Sequence, residues 1–332
     1  MSRLTAAAFA AVLAACAACA SKGESGAAGN NEGRGVAPAL SPTPAATVRP
    51  RADGGVNAEL SARLKAVGER AGGEFGAAVV HVETGRAAEA GGTRPLALYS
   101  VFKLPLAVAV LKDVEEGRLT LEQKVRVEPA DASPGVKANA ELWSRTVERS
   151  VGEMLELSLV RSDNTSSDQL LKLVGGPSVV TSRMRALGLE GVDVRSSLKD
   201  LISKGGAQNT GTAADLARLL VMLQKGVALS QTQTALLLEL MSRAQTGERR
   251  LRAGVPAGTP VAEKTGTGPP GTSTNDVGLV TLPDRTHLAV AVLVSGSKLS
   301  LEEQEKLIAE VARAAYEAHV ESNAVPAASP RR

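Results

Sequence analysis

Between residues 57 and 321 the apolar residues change their spacing twice, and that alternation restricts the folds open to the chain more than any other feature. "NAELSARLKAVGERAG" carries Leu60, Leu64 and Val67 at helical spacing, and "FGAAVVHVETGRAAEAGG" then reads as two short strands around a turn at Thr84, Gly85 and Arg86. From Ser100 to about Ala244 the pattern is mostly helical, in segments such as "VFKLPLAVAVLKDVEEG" and "TAADLARLLVMLQKG". Strand-like text returns in "TPVAEKTGTG", "TNDVGLVTLP" and "THLAVAVLVSG", and a last helix opens at Ser300 with Glu303 three residues on, the pairing of a capping box. Strands at both ends with helices between them imply one sheet. The expected fold class is therefore α/β plus α: an antiparallel sheet from both termini flanked by helices, with an inserted all-helical lobe. The α/β lobe is expected over about residues 57–98 and 247–321 and the helical lobe over about 99–246, with a site in the cleft between them.

The flanks do not belong to this body. "MSRLTAAAFAAVLAACAACASKGES" has a short basic start, an apolar run and small residues, which predicts a signal peptide over residues 1–15. "LAAC" resembles a bacterial lipobox, so Cys16 is the expected lipidation site, with Cys19 as the competing processing site. Residues 16–56 read as the lipobox cysteine and a flexible linker, and 322–332 as a disordered tail. The expectation is an exported lipoprotein on the periplasmic side of a membrane. Cys16 and Cys19 are the chain's 2 cysteines, so the body contains no disulfide, thiol nucleophile or cysteine metal site. Lysine plus arginine (38) nearly balances aspartate plus glutamate (35), and a net charge of +3 offers no broad basic field for nucleic acid.

Three short motifs carry chemistry. In Ser100-Val101-Phe102-Lys103, the serine and lysine share a helix face, and a lysine held in an apolar setting near other cations gives up its proton more readily and can activate the hydroxyl. A helix N-terminus adds unpaired backbone N–H groups for an oxyanion. Ser162-Asp163-Asn164 lies between an apolar run and a helical stretch, and Lys264-Thr265-Gly266 ends a strand-like segment, followed by Thr267 and Gly268. Each alone is equally consistent with helix capping or an ordinary strand exit.

Together and in this order they resemble the class A serine β-lactamases and related penicillin-binding enzymes, whose set is S-x-x-K, S-D-N and K-T-G. The resemblance covers nearly all of residues 57–321 and implies a β-lactamase/transpeptidase-like fold. It implies Ser100 as the acylated nucleophile, Lys103 as neighbouring base and Ser162 as proton donor to the departing nitrogen. Asn164 would fix Lys103 and the substrate amide, Lys264 and Thr265 would bind the substrate carboxylate, and Gly266 would let substrate lie against the strand edge. The backbone N–H groups of Ser100 and Thr267 would form the oxyanion hole, with no metal or cofactor needed. The implied partners are a small-molecule β-lactam or a peptidoglycan peptide, acted on by a monomer anchored to a membrane by lipid.

One departure bears on function. Class A enzymes release the acyl-enzyme with a glutamate in the loop after the S-D-N helix, expected here near Ser196 to Lys199, where the text is "SSLK". No glutamate occurs between Glu190 and Glu239, and Asp200 is the nearest acid available to replace it as the deacylation base. Three readings stay open: a β-lactamase with impaired deacylation that uses Asp200 or Lys103 as the base, a penicillin-interactive D-alanyl-D-alanine peptidase or esterase-like hydrolase, and a non-enzymatic cell-envelope binding lipoprotein. A milder departure is Ala132 before Ser133-Pro134, where the family segment brings an aromatic ring to the cleft; Trp143 is a substitute ring or a core residue. His81, His287 and His319 match no family role.

Overall fold

The sheet unites the two ends of the body. In the computed structural model, which describes residues 55–323 apart from 136, 270 and 271, five antiparallel strands run in the order β2-β1-β9-β8-β7. β1 (Glu74–His81) and β2 (Ala87–Ala90) form the early hairpin, and β7 (Val261–Thr267), β8 (Ser273–Thr281) and β9 (His287–Ser295) return from the far end of the chain. β1 pairs with β9 from Glu74↔Ser295 to His81↔Leu288, which closes the sheet across the inserted helices. The expectations for the signal peptide, Cys16, Cys19 and most of the linker and tail fall outside the described residues. Val56, assigned to the linker from sequence, bridges Ala87, because the edge strand β2 leaves backbone groups free to pair.

Each sheet face is covered by a separate apolar cluster. One face packs on α1 (Ala58–Glu69) and α10 (Leu301–Asn323) through Leu60, Leu64, Val290, Val292, Ile308 and Val311. Ser300 and Glu303 exchange the hydrogen bonds of a capping box at the start of α10. The other face meets the helical part through α8 (Ala213–Gln224) and the buried helix α2 (Lys103–Glu115). α2 buries Leu104, Leu106, Val108, Val110 and Leu111, each stabilising the fold by about 2 kcal/mol, so whatever sits at its N-terminus is held on a rigid mount.

Against α2 pack α4 (Val151–Val160), α5 (Asn164–Leu173), α6 (Pro177–Ala186) and α9 (Gln231–Ser242); α7 (Leu198–Lys204) packs on α5, and α3 (Lys137–Ala140) is a single turn. Sequence periodicity missed two small sheets, β3 (Leu96–Ala97) with β6 (Thr210–Gly211) and β4 (Lys124–Val127) with β5 (Val147–Ser150). Strands of two to four residues are too short to show a period, and tertiary proximity creates their pairing.

Candidate active site

Ser100 stands in a 3-10 turn, Tyr99–Phe102, that runs directly into α2. Residues three apart eclipse in such a turn, which puts Ser100 and Lys103 on one side, while buried Val101 and Phe102 anchor the other. Tyr99 has a φ of 46°, a left-handed conformation that costs a side-chain-bearing residue energy and persists only where its surroundings enforce it. Gly266 of β7 is part of that enforcement: a Cβ there would lie 2.4 Å from the Leu98 carbonyl oxygen and 3.1 Å from Val101 N. The missing side chain thus lets β7 close on the turn that presents Ser100, a packing role beside the substrate-edge role suggested by resemblance.

Lys103 is fully buried, and its Nζ lies within hydrogen-bond distance of the Ser162 carbonyl oxygen (2.6 Å), Asn164 Oδ1 (2.8 Å) and Ser162 Oγ (3.3 Å). Ser162 has a φ of 53°, a second strained residue at the site, just before α5. Asp163 caps α5 by accepting from Ser166 N at 2.7 Å, so the S-D-N motif is also a helix start. From the opposite wall, Lys264 Nζ donates to Ser162 Oγ at 3.1 Å and to the Thr265 carbonyl oxygen at 2.9 Å. Ser162 therefore bridges two buried amines.

Burial holds the Lys103 amine well below the usual lysine range, and the nearby Lys264 charge pushes it the same way, against the attraction of Asp163 and Asp168. Burial also lowers Lys264, to about 7, with Asp276 opposing and Arg250 reinforcing the shift. A neutral amine at Lys103 is what a base beside a serine requires.

Ser100, Asn164 and Thr267 line one cavity of about 510 Å³ with Tyr99, Leu198, Leu201, Ile202, Gln208, Gly268 and Pro269. Thr265 Oγ1 meets Thr246 Oγ1 at 2.7 Å, and Thr267 Oγ1 accepts from Arg250 Nη2 at 2.8 Å. Arg250, buried and also bonded to the Gly266 and Asn275 carbonyls, is a cation the sequence reading missed. Its only local signal was a place in the arginine-rich "GERRLRAG" ahead of β7.

The acids are arranged differently from expectation. Asp200 is not brought into the site: half-exposed on α7, its carboxylate accepts from Ser197 Oγ at 2.8 Å and pairs with Lys204 at 2.8 Å, and the Lys204 hydrogen bond leads in lowering its pKa. Leu198 faces the cavity instead. Its backbone N–H and that of Lys199 donate to Asp168 at 2.8 Å each, and Ser133 Oγ donates to the same carboxylate at 2.6 Å. Asp168, four residues after Asn164 on the same face of α5, was not singled out from sequence. Burial raises its pKa despite those three donors. Trp143 does not reach the cleft mouth; it is buried and its Nε1 donates to Asp163 at 3.2 Å.

A sequence model described as the beta-lactamase enzyme family matches residues 59–319. The extended-spectrum beta-lactamase PER-1 of Pseudomonas aeruginosa is 35% identical over 232 residues, 66% of this chain and 74% of its own length. A solved beta-lactamase from Chitinophaga pinensis DSM 2588 is 30% identical with a TM-score of 0.75, covering 79% of this chain and 99% of its own. A mutant of PBP-A with leucine replaced by glutamate, in an acyl-enzyme complex with penicillin G, is 26% identical with a TM-score of 0.73 over 80% of this chain and 98% of its own. With the fold and these matches in agreement, the chain belongs to the beta-lactamase enzyme family, as a serine hydrolase of the class A and penicillin-binding type.

Proposed function

We propose that the protein is acylated by β-lactams at Ser100 and releases the product slowly. Ser100 Oγ attacks the lactam carbonyl carbon and gives its proton to Lys103, whose burial favours the unprotonated amine that can take it. The backbone N–H groups of Ser100 and Thr267 hold the oxyanion. As the C–N bond breaks, Ser162 passes a proton to the nitrogen and is resupplied from Lys103 or Lys264, both within hydrogen-bond reach. Lys264 and Thr265 bind the substrate carboxylate, and Arg250 orients the Thr267 hydroxyl beside them.

The observation that carries slow release is Leu198: an apolar side chain stands at the wall of the cavity that Ser100 also lines, and none of the described residues lining the cavity bears a carboxylate. Water attack on the ester then lacks a carboxylate base at the cavity wall. A second reading, a D-alanyl-D-alanine peptidase or esterase-like hydrolase, draws support from the similarity to the PBP-A mutant, whose acyl-enzyme with penicillin G was captured. The non-enzymatic reading is set aside, because a purely binding site needs no serine linked to two buried amines. The periplasmic, lipid-anchored and monomeric state expected from sequence belongs to the same proposal.

The test mixes the full chain with a chromogenic cephalosporin and follows colour and intact mass together. One equivalent of colour with a persistent adduct on Ser100 supports the proposal, and sustained rapid turnover overturns slow release. No adduct and no colour, or an undiminished rate in Ser100→Ala, would refute acylation itself.

A further inference from the structure

Behind the carboxylate subsite lie two carboxyl groups that the acylation chemistry does not use. Glu263 precedes Lys264 on β7, Asp276 stands opposite Thr265 on β8, and both are fully buried. Strand alternation turns Glu263 and Thr265 to one face of the sheet and Lys264 to the other. Gly278 is the cross-strand partner of Glu263, and a Cβ there would approach Glu263 Cβ to 3.0 Å. The glycine leaves room for the Glu263 side chain, whose carboxyl adjoins that of Asp276.

Donors are scarce there. Leu251 N–H donates to Asp276 Oδ2 at 3.2 Å, but Oδ1 of Asp276 and both oxygens of Glu263 accept no hydrogen bond from any described protein donor. Arg252 Nε approaches Glu263 Oε1 to 3.0 Å as an ion pair. Arg250 spends its N–H groups on the Gly266 and Asn275 carbonyls, the Thr267 hydroxyl and Glu305 of α10, which Arg249 also pairs. Two adjoining carboxylates buried with so few donors cannot both stay ionised, whereas an acid beside a carboxylate supplies the missing donor itself. Burial raises both groups; the Asp276 charge drives Glu263 further up, while Arg250 and Lys264 restrain Asp276.

We propose that Glu263 and Asp276 hold one proton between them at neutral pH, with Glu263 as the acid and Asp276 as the carboxylate, and that this pair is a positioning device for the substrate-carboxylate subsite. The charged groups facing it are Lys264 on β7, Arg250 and Arg252 on the segment ahead of β7 and, through Arg250, Glu305; Lys103 lies beyond Lys264. One carboxylate supports the Lys264 ammonium and leaves the cluster net cationic toward an anionic substrate. Two would cancel much of that field. The inference rests on the reading above, in which Lys264 binds the substrate carboxylate.

The test is infrared difference spectroscopy of the full chain, together with the pH dependence of acylation by a β-lactam. A protonated-carboxyl C=O stretch is expected at pH 7 and is lost in Glu263→Gln. Acylation needs Lys264 charged, so it falls as pH rises through the Lys264 pKa. Asp276→Asn removes the counter-charge and moves that alkaline limb down by about one unit, whereas Glu263→Gln replaces a neutral acid by a neutral amide and leaves the limb in place. No acid band in the wild type at pH 7, or equal shifts in both variants, overturns the inference. Absence of any adduct in the wild type would instead overturn the acylation reading, and the infrared result would still decide the proton.

Discussion

The backbone N–H of Leu198 donates to Asp168 across 2.8 Å, tying the first residue of α7 to the helix that carries Asn164. That bond holds an apolar side chain at the cavity where the family's chemistry calls for a base.

Leu198→Glu is therefore expected to turn a stoichiometric burst into sustained hydrolysis. A positioned general base contributes about 10²–10⁴-fold, and the release rate should rise on that scale. Time-resolved intact mass reads the adduct lifetime directly. An unchanged lifetime would mean that something other than the base limits release.

Asp168→Asn keeps the shape but replaces one accepting oxygen by an N–H₂ facing donors. Of the Leu198 N–H, the Lys199 N–H and the Ser133 hydroxyl, at least one loses its acceptor. A cost of about 1–3 kcal/mol is expected, seen as a lower melting temperature together with faster hydrogen exchange at Leu198 and Lys199. Unaltered exchange there would show that α7 is held by packing alone.

Gly266→Ala should separate folding from catalysis. Its Cβ would meet the Leu98 carbonyl at 2.4 Å and displace the turn that presents Ser100. A shift approaching 1 Å costs about a hundred-fold in rate, so acylation should fall by that order while the circular dichroism spectrum is retained. Wild-type acylation in this variant would show that the turn tolerates the displacement.

His81 and His319 stack with ring centroids 5.2 Å apart, pinning the end of α10 to β1. Burial lowers both pKa values, so the unfolded chain binds protons at higher pH than the folded one. Their contribution to stability is present above the unfolded histidine pKa of about 6.5 and is lost as pH falls below it. Thermal melts from pH 8 to 5 should show a drop that His319→Leu flattens. Equal slopes for wild type and variant would remove the stack as the cause.

Local text was enough for the groups whose chemistry depends on near neighbours. Ser100 and Lys103 share a turn, Asp163 and Asn164 start a helix, and Ser300 caps one, because hydrogen bonds over three or four residues follow from residue type and spacing. Asp200 misled because nearness in sequence was used where direction mattered. On α7 it lies two residues past Leu198, and that rotation turns its carboxylate out to Lys204.

By itself, then, the sequence determined the strand-helix-strand order, the family and the order of the three motifs. Only the tertiary structure decided that Ser162 bridges two buried amines, that Asp168 pins Leu198 at the cavity, and that Glu263 and Asp276 meet behind Lys264. Those relationships join residues far apart in the chain, and their energies come from burial and from the scarcity of partners, neither of which spacing along a sequence contains.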